Sequence, residues 1–89
     1  MACVKPDGSL TATGLATLAK VAAEPGVPSL AVAKALGKPL FIARSILREL
    51  VEAGLATAEG EAVAGSPATA LFRITDAGQA ARKTGKVGS

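Results

Sequence analysis

Apolar residues recur along this chain at two different periods, and the change from one to the other divides it. From about Thr11 or Thr13 to Ala23, Leu15, Leu18 and Ala22 fall on one helical stripe, with Ala19 and Val21 beside it. Glu24-Pro25-Gly26-Val27-Pro28 ends that helix, because proline breaks the hydrogen-bond ladder and biases its predecessor toward extended geometry. A short second helix is expected from Ser29 to about Leu36, with Leu30, Ala33 and Leu36 inside. Ser29 is a good N-cap, and losing such a cap typically costs about 1 kcal/mol.

Residues 37 to 55 read as a third helix over 39–53 with both ends marked. Gly37 closes the preceding segment, Pro39 suits a first helical position, and Gly54 supplies the left-handed residue past the last turn. At about 100° per residue, Pro39, Ala43, Ile46, Leu47 and Leu50 gather on a core side. The opposite side carries Phe41, Arg44, Ser45, Arg48 and Glu52, a phenylalanine within a mostly cationic face. Only Gly37 and Lys38 separate helices two and three, which is helix-turn-helix spacing.

Past Gly54 the period drops to two. Leu55 to Ala58 and Ala68 to Ile74 are expected as a two-stranded hairpin with a long tip over 59–67. Ala70, Phe72 and Ile74 share its buried face and Arg73 takes the other. Thr75 caps a last helix from Asp76 to about Lys83, with Asp76 at the positive end. Residues 1–10, with the turn sequence Pro6-Asp7-Gly8-Ser9, read as a flexible arm, and 84–89 as a flexible tail. The expected fold class is therefore mainly α with a small β-hairpin, in one domain over 11–83.

Two stretches resemble the same relatives. Leu50-Val51-Glu52-Ala53-Gly54-Leu55 is similar to the L-x-x-x-G-L junction between recognition helix and wing in MarR-like and PadR-like transcription regulators. Phe72-Arg73-Ile74-Thr75-Asp76-Ala77-Gly78 resembles the aromatic-x-Leu/Ile-Thr-x-x-Gly that ends the wing there, and Ser29 to Gly37 resembles the second helix. The resemblance covers about residues 11 to 82 and implies a winged helix-turn-helix: a three-helix bundle, a two-stranded wing and a short C-terminal helix. It also implies that the third helix enters a DNA major groove while the wing touches the backbone or minor groove. By position, Arg44 or Arg48 would contact a guanine edge, Ser45 a base or phosphate, and Phe41 a thymine methyl. Lys34, Lys38 and the Ser29 helix start would hold phosphates, and Arg73 is the one cation on the hairpin. The wing departs from that pattern, since Glu59 and Glu61 stand near its tip without a base.

Composition adds limits. With 89 residues there is room for one domain and a thin core, so a homodimer would add burial. Net charge is +3, but Lys34, Lys38, Arg44 and Arg48 cluster without an acid between them, as suits a phosphate-facing surface. Cys3 is the only cysteine and histidine is absent, which excludes an internal disulfide and a Cys/His metal site and leaves general acid–base catalysis without its usual residue. No cofactor and no enzymatic activity are expected. No apolar run nears the roughly 20 residues of a membrane span, and a lone cysteine suits a reducing compartment, so a cytoplasmic, nucleoid-associated setting is expected.

The expected function is that of a small homodimeric regulator binding double-stranded DNA sequence-specifically. Competing readings are a winged-helix protein-interaction module of a larger assembly, and a DNA binder of the replication, partition or antitoxin type. For Arg44 and Arg48 the plainer reading is a solvated face, with Arg48 paired to Glu52. Phe41 either stays exposed or folds back on the second helix as core.

Overall fold

A computed structural model of the chain describes residues 4–59 and 71–87. These contain four helices and a three-stranded antiparallel sheet: α1 Ala12–Ala23, β1 Val27–Pro28, α2 Ser29–Leu36, α3 Leu40–Glu52, β2 Ala56–Glu59, β3 Leu71–Ile74 and α4 Asp76–Thr84. The sheet order is β1-β3-β2.

Helix α1 starts where a hydroxyl can satisfy one of its free amides: Gly14 N–H donates to Thr11 Oγ1 at 3.1 Å. Its buried side is broader than the expected stripe and is turned from it. Gly14, Thr17, Leu18 and Val21 are buried, whereas Leu15 and Ala22 are half-buried and Ala19 is exposed. The helix lies between two groups of core side chains. Leu18 packs with Ile46, Leu50 and Leu55, and Val21 packs with Val27, Val32, Leu47 and Phe72. Thr17 tolerates full burial because its hydroxyl donates to the Thr13 carbonyl at 2.8 Å.

Between α1 and α2 the chain forms a strand where only a stop was expected. Val27 pairs with Phe72 and Pro28 with Leu71. Gly26, at φ +83°, turns the chain into it and donates to the Phe72 carbonyl at 2.9 Å. Pro28 has no amide to give and so fits an edge strand.

That pairing moves the start of α2. Pro28, held extended, occupies the cap position, and Ser29 becomes the first helical residue instead of the N-cap. Ser29 is only 1% exposed, and its hydroxyl has no hydrogen-bond partner among the described residues. The inner face shifts as well: Val32 and Ala33 are buried, Leu36 is half-buried, and Leu30, expected inside, is 52% exposed.

Gly37, at φ +66°, closes α2 in the left-handed conformation, and Lys38 N–H returns to the Ala33 carbonyl at 3.0 Å. Pro39 is the cap of α3, exposed and outside the helix, where a first helical position on the core side was expected. Ala43, Ile46, Leu47 and Leu50 are buried as the periodicity predicts. Gly54, at φ +78°, ends the segment in the left-handed region, again as expected.

In the hairpin, Ala56 faces Ile74, Thr57 faces Arg73, Ala58 faces Phe72 and Glu59 faces Leu71. Phe72 is buried and Ile74 half-buried, while Leu71 and Arg73 are exposed. The expected tip beyond Glu59, with Glu61, and the expected start of the second strand, with Ala70, lie outside the described residues.

The two family-like stretches meet in space. Thr75 N–H donates to the Leu55 carbonyl at 3.1 Å, and its hydroxyl donates to the Gly54 carbonyl at 2.7 Å while accepting from Gly78 N–H at 3.0 Å. One threonine thus caps α4 and ties it to the end of α3. Gly78 lets α4 approach, since a Cβ there would lie 2.6 Å from Ile74 Cγ1 and closer still to the Leu55 carbonyl oxygen.

Residues 4–10 and 85–87, expected as loose ends, hold each other. Leu10 N–H donates to the Gly85 carbonyl and Val87 N–H to the Gly8 carbonyl, at 2.8 and 2.7 Å. Leu10 is buried, and Val4 and Val87 pack against the same core group. Apolar burial by these three residues provides the attachment that turn chemistry alone did not reveal.

Candidate nucleic-acid interface

The interface candidate is the side of α3 turned away from the core. Phe41, Ser45, Arg48 and Glu52, spaced by four, three and four residues, form one exposed line directly opposite Ala43, Ile46, Leu47 and Leu50. Phe41 is 68% exposed, the highest among the exposed large hydrophobic residues. It does not fold back as core: Leu36 and Leu40, half-buried, are the side chains beside it that pack against the group of Ala33 and Ala43.

Arg44 sits on a flank of this line, the flank shared with Leu40 and Val51. It is half-buried, and its Nε is out of water without a hydrogen-bond partner among the described residues. The stem is therefore packed while the far end of the guanidinium emerges. Arg48 is exposed and makes no ion pair with Glu52. Lys34 is exposed on α2 and Lys38 is half-buried in the turn before α3.

Acids keep to the far end of the helix. None stands in the first turn of α3, and Glu49 is turned to the clasped ends, where its carboxylate accepts from Val4 N–H at 3.3 Å. The N-terminal half of α3 thus presents aromatic, hydroxyl and cationic groups without a competing carboxylate.

The remaining expected site residues stand apart from this line. The Ser29 side chain is buried, so only backbone amides at the α2 start are left to face an anion. Arg73 is exposed on the outer side of β3, and its Nε donates to Glu59 Oε2 at 3.2 Å. That pairing was missed from the sequence, since it depends on the hairpin register that brings β2 and β3 side by side.

Ionisation adds little to the site. Asp7 lies in the turn beyond the clasp, and its carboxyl is held below the usual 3.8 first by the Ser9 hydroxyl, then by the Ser9 amide. Among the described residues, no group of His, Cys, Asp and Glu is arranged to hold a metal ion, and no helix is long and apolar enough to cross a membrane.

Fold and site define a small, mainly α domain with an antiparallel three-stranded sheet and one exposed basic-aromatic helix face. No protein-family model matches the chain, and neither the curated proteins nor the solved structures give a match.

Proposed function

We propose that this chain is a winged helix-turn-helix protein that binds duplex DNA by laying α3 in the major groove. The observation that carries the reading is the exposed line Phe41-Ser45-Arg48 with Arg44 beside it, on a helix joined to α2 by a tight turn and free of acids in its first turn. The chain order supports it too: three helices, then a hairpin whose last strand runs into α4, with a short strand between α1 and α2 pairing to that hairpin. In this reading Lys34 and Lys38 hold phosphates, Arg44 and Arg48 enter or flank the groove, and the protein acts as a small transcriptional regulator of the MarR/PadR kind.

A homodimer would present two copies of α3 to half-sites about 34–36 Å apart, giving a palindromic site. Fluorescence anisotropy against mixed duplex at rising salt tests the proposal. Binding should weaken with a log–log slope of about −0.9 for each phosphate neutralised. The double substitution Arg44→Ala, Arg48→Ala should abolish it. Binding retained by that variant would remove α3 as the groove helix.

A second reading, a winged-helix module that docks another protein, is favoured by one observation. Arg73, the cation on the hairpin, has its Nε on the Glu59 carboxylate, which places an acid beside the charge that a phosphate would need. Absence of affinity for any duplex at low salt, with a partner bound through Phe41, would select it.

A further inference from the structure

Phe41 is a large apolar group at the start of the face assigned to DNA, and what it could recognise there is narrowly limited. Its exposure is not that of a loosely packed core residue, since Phe41 joins neither core group, whereas its neighbours Leu36 and Leu40 are half-buried against one of them. It lies one turn before Ser45 on the outward line and three residues before Arg44. The other exposed large hydrophobics, Leu30 and Leu71, belong elsewhere: Leu71 is the strand partner of Pro28, two residues before Leu30. Lys34, Lys38, Arg44 and Arg48 surround Phe41 in sequence without an acid. A polyanion therefore fits the charge of this end of α3, and the phenylalanine must find its match within that polyanion.

The floor of the major groove offers nitrogen and oxygen donors and acceptors at every base pair, and one apolar group, the methyl on C5 of thymine. Cytosine methylated at C5 presents a methyl at the same ring position. A phenyl ring pressed on any other edge would strip water from polar atoms and return no hydrogen bond. Arg44 and Ser45 stand about 4.5–6 Å further along the helix, within reach of the neighbouring base pair.

We infer that Phe41 is a specificity-determining residue that reads the C5 methyl of a pyrimidine, in thymine or in 5-methylcytosine. The inference rests on the proposed binding of duplex DNA by α3. Arg48, two turns on and about 10.5 Å further along the helix axis, meets the duplex beyond that position.

The test begins with selection of bound sequences from a random duplex library by the full chain. Each thymine of the selected site is then replaced in turn by deoxyuridine, which removes only the methyl. At one position in each half-site the wild-type protein should lose about fourfold in affinity, the worth of one buried methyl. Phe41→Ala should bind that site more weakly and show no difference between thymine and deoxyuridine there. At a cytosine placed in the same position, C5 methylation should tighten wild-type binding by a similar factor and leave Phe41→Ala unchanged.

Thermal unfolding checks that Phe41→Ala remains folded, as an exposed position allows, and Phe41→Leu should retain part of the methyl effect. A wild-type protein that selects a site yet ignores every methyl overturns the inference, as does a Phe41→Ala variant that still senses one. If Phe41→Ala leaves DNA binding intact and abolishes docking of a partner protein, the inference is likewise overturned. Failure of the wild-type protein to enrich any sequence defeats the sequence-specific DNA reading itself, and the inference with it.

Discussion

Gly78→Ala should be the most damaging single-methyl change in this fold. A Cβ at that position would stand 2.6 Å from Ile74 Cγ1 and nearer still to the Leu55 carbonyl oxygen, part of a backbone that cannot swing aside as a side chain can. Relief requires α4 to move away from the β2–β3 sheet. Because Thr75 is bonded to Gly54, Leu55 and Gly78 at once, that displacement stretches three hydrogen bonds together. Overpacking of this kind costs about 1–3 kcal/mol, and each weakened bond adds roughly 0.5–1.5 kcal/mol. Against this, alanine gains up to about 1 kcal/mol over glycine in helix propensity. The net loss is about 1.5–6.5 kcal/mol, a large fraction of the roughly 4–13 kcal/mol expected for a chain of this length. Urea unfolding followed by circular dichroism is the assay. With a slope near 1 kcal/mol per molar urea for a small domain, the midpoint should fall by about 1.5 M or more. Gln79→Ala, exposed on the same helix, serves as the control and should stay within about 0.5 kcal/mol of wild type. A Gly78→Ala protein as stable as that control would refute the close approach of α4 to Leu55.

Thr75→Val keeps the shape of the side chain and removes both hydroxyl bonds, so it should cost about 1–2 kcal/mol in the same assay, with the loss carried by α4. Ser29→Ala should leave stability unchanged or raise it slightly, because the buried hydroxyl has no partner among the described residues; a loss of about 1 kcal/mol would restore Ser29 as a cap. Glu59→Gln removes an exposed ion pair worth about 0–1 kcal/mol, so the melting temperature should barely move. If Arg73 then reaches a phosphate, the salt slope of DNA binding steepens by about one; an unchanged slope puts Arg73 outside the interface. Asp7 titrates below its ordinary 3.8 in the folded chain, so its contribution to stability is present above that value and disappears as pH falls through the lower folded one. Asp7→Asn should flatten part of the acid limb of melting temperature against pH.

Periodicity within an element was readable because backbone geometry alone sets it. Ala43, Ile46, Leu47 and Leu50 are buried and Phe41, Ser45 and Arg48 exposed, since a helix whose inner line is that apolar has one way to face a core. The boundaries were less readable because distant partners decide them. Ser29 has the chemistry of a cap, yet the pairing of Val27 and Pro28 with a strand more than forty residues later fixes Pro28 as extended and draws Ser29 into the helix. A two-residue strand shows no alternation, so nothing local announced it. The same remoteness hid the attachment of Leu10, Val4 and Val87, and the hold of Glu59 on Arg73. The Thr75–Gly78 spacing was legible as a motif, but its reason appears only in three dimensions: the threonine reaches back to Gly54 and the glycine makes room for Leu55. The junction after α3 and the end of the hairpin are therefore two halves of one joint. Since that joint anchors the end of the exposed helix, substitutions at Thr75 or Gly78 should alter how α3 is presented without touching its outward side chains.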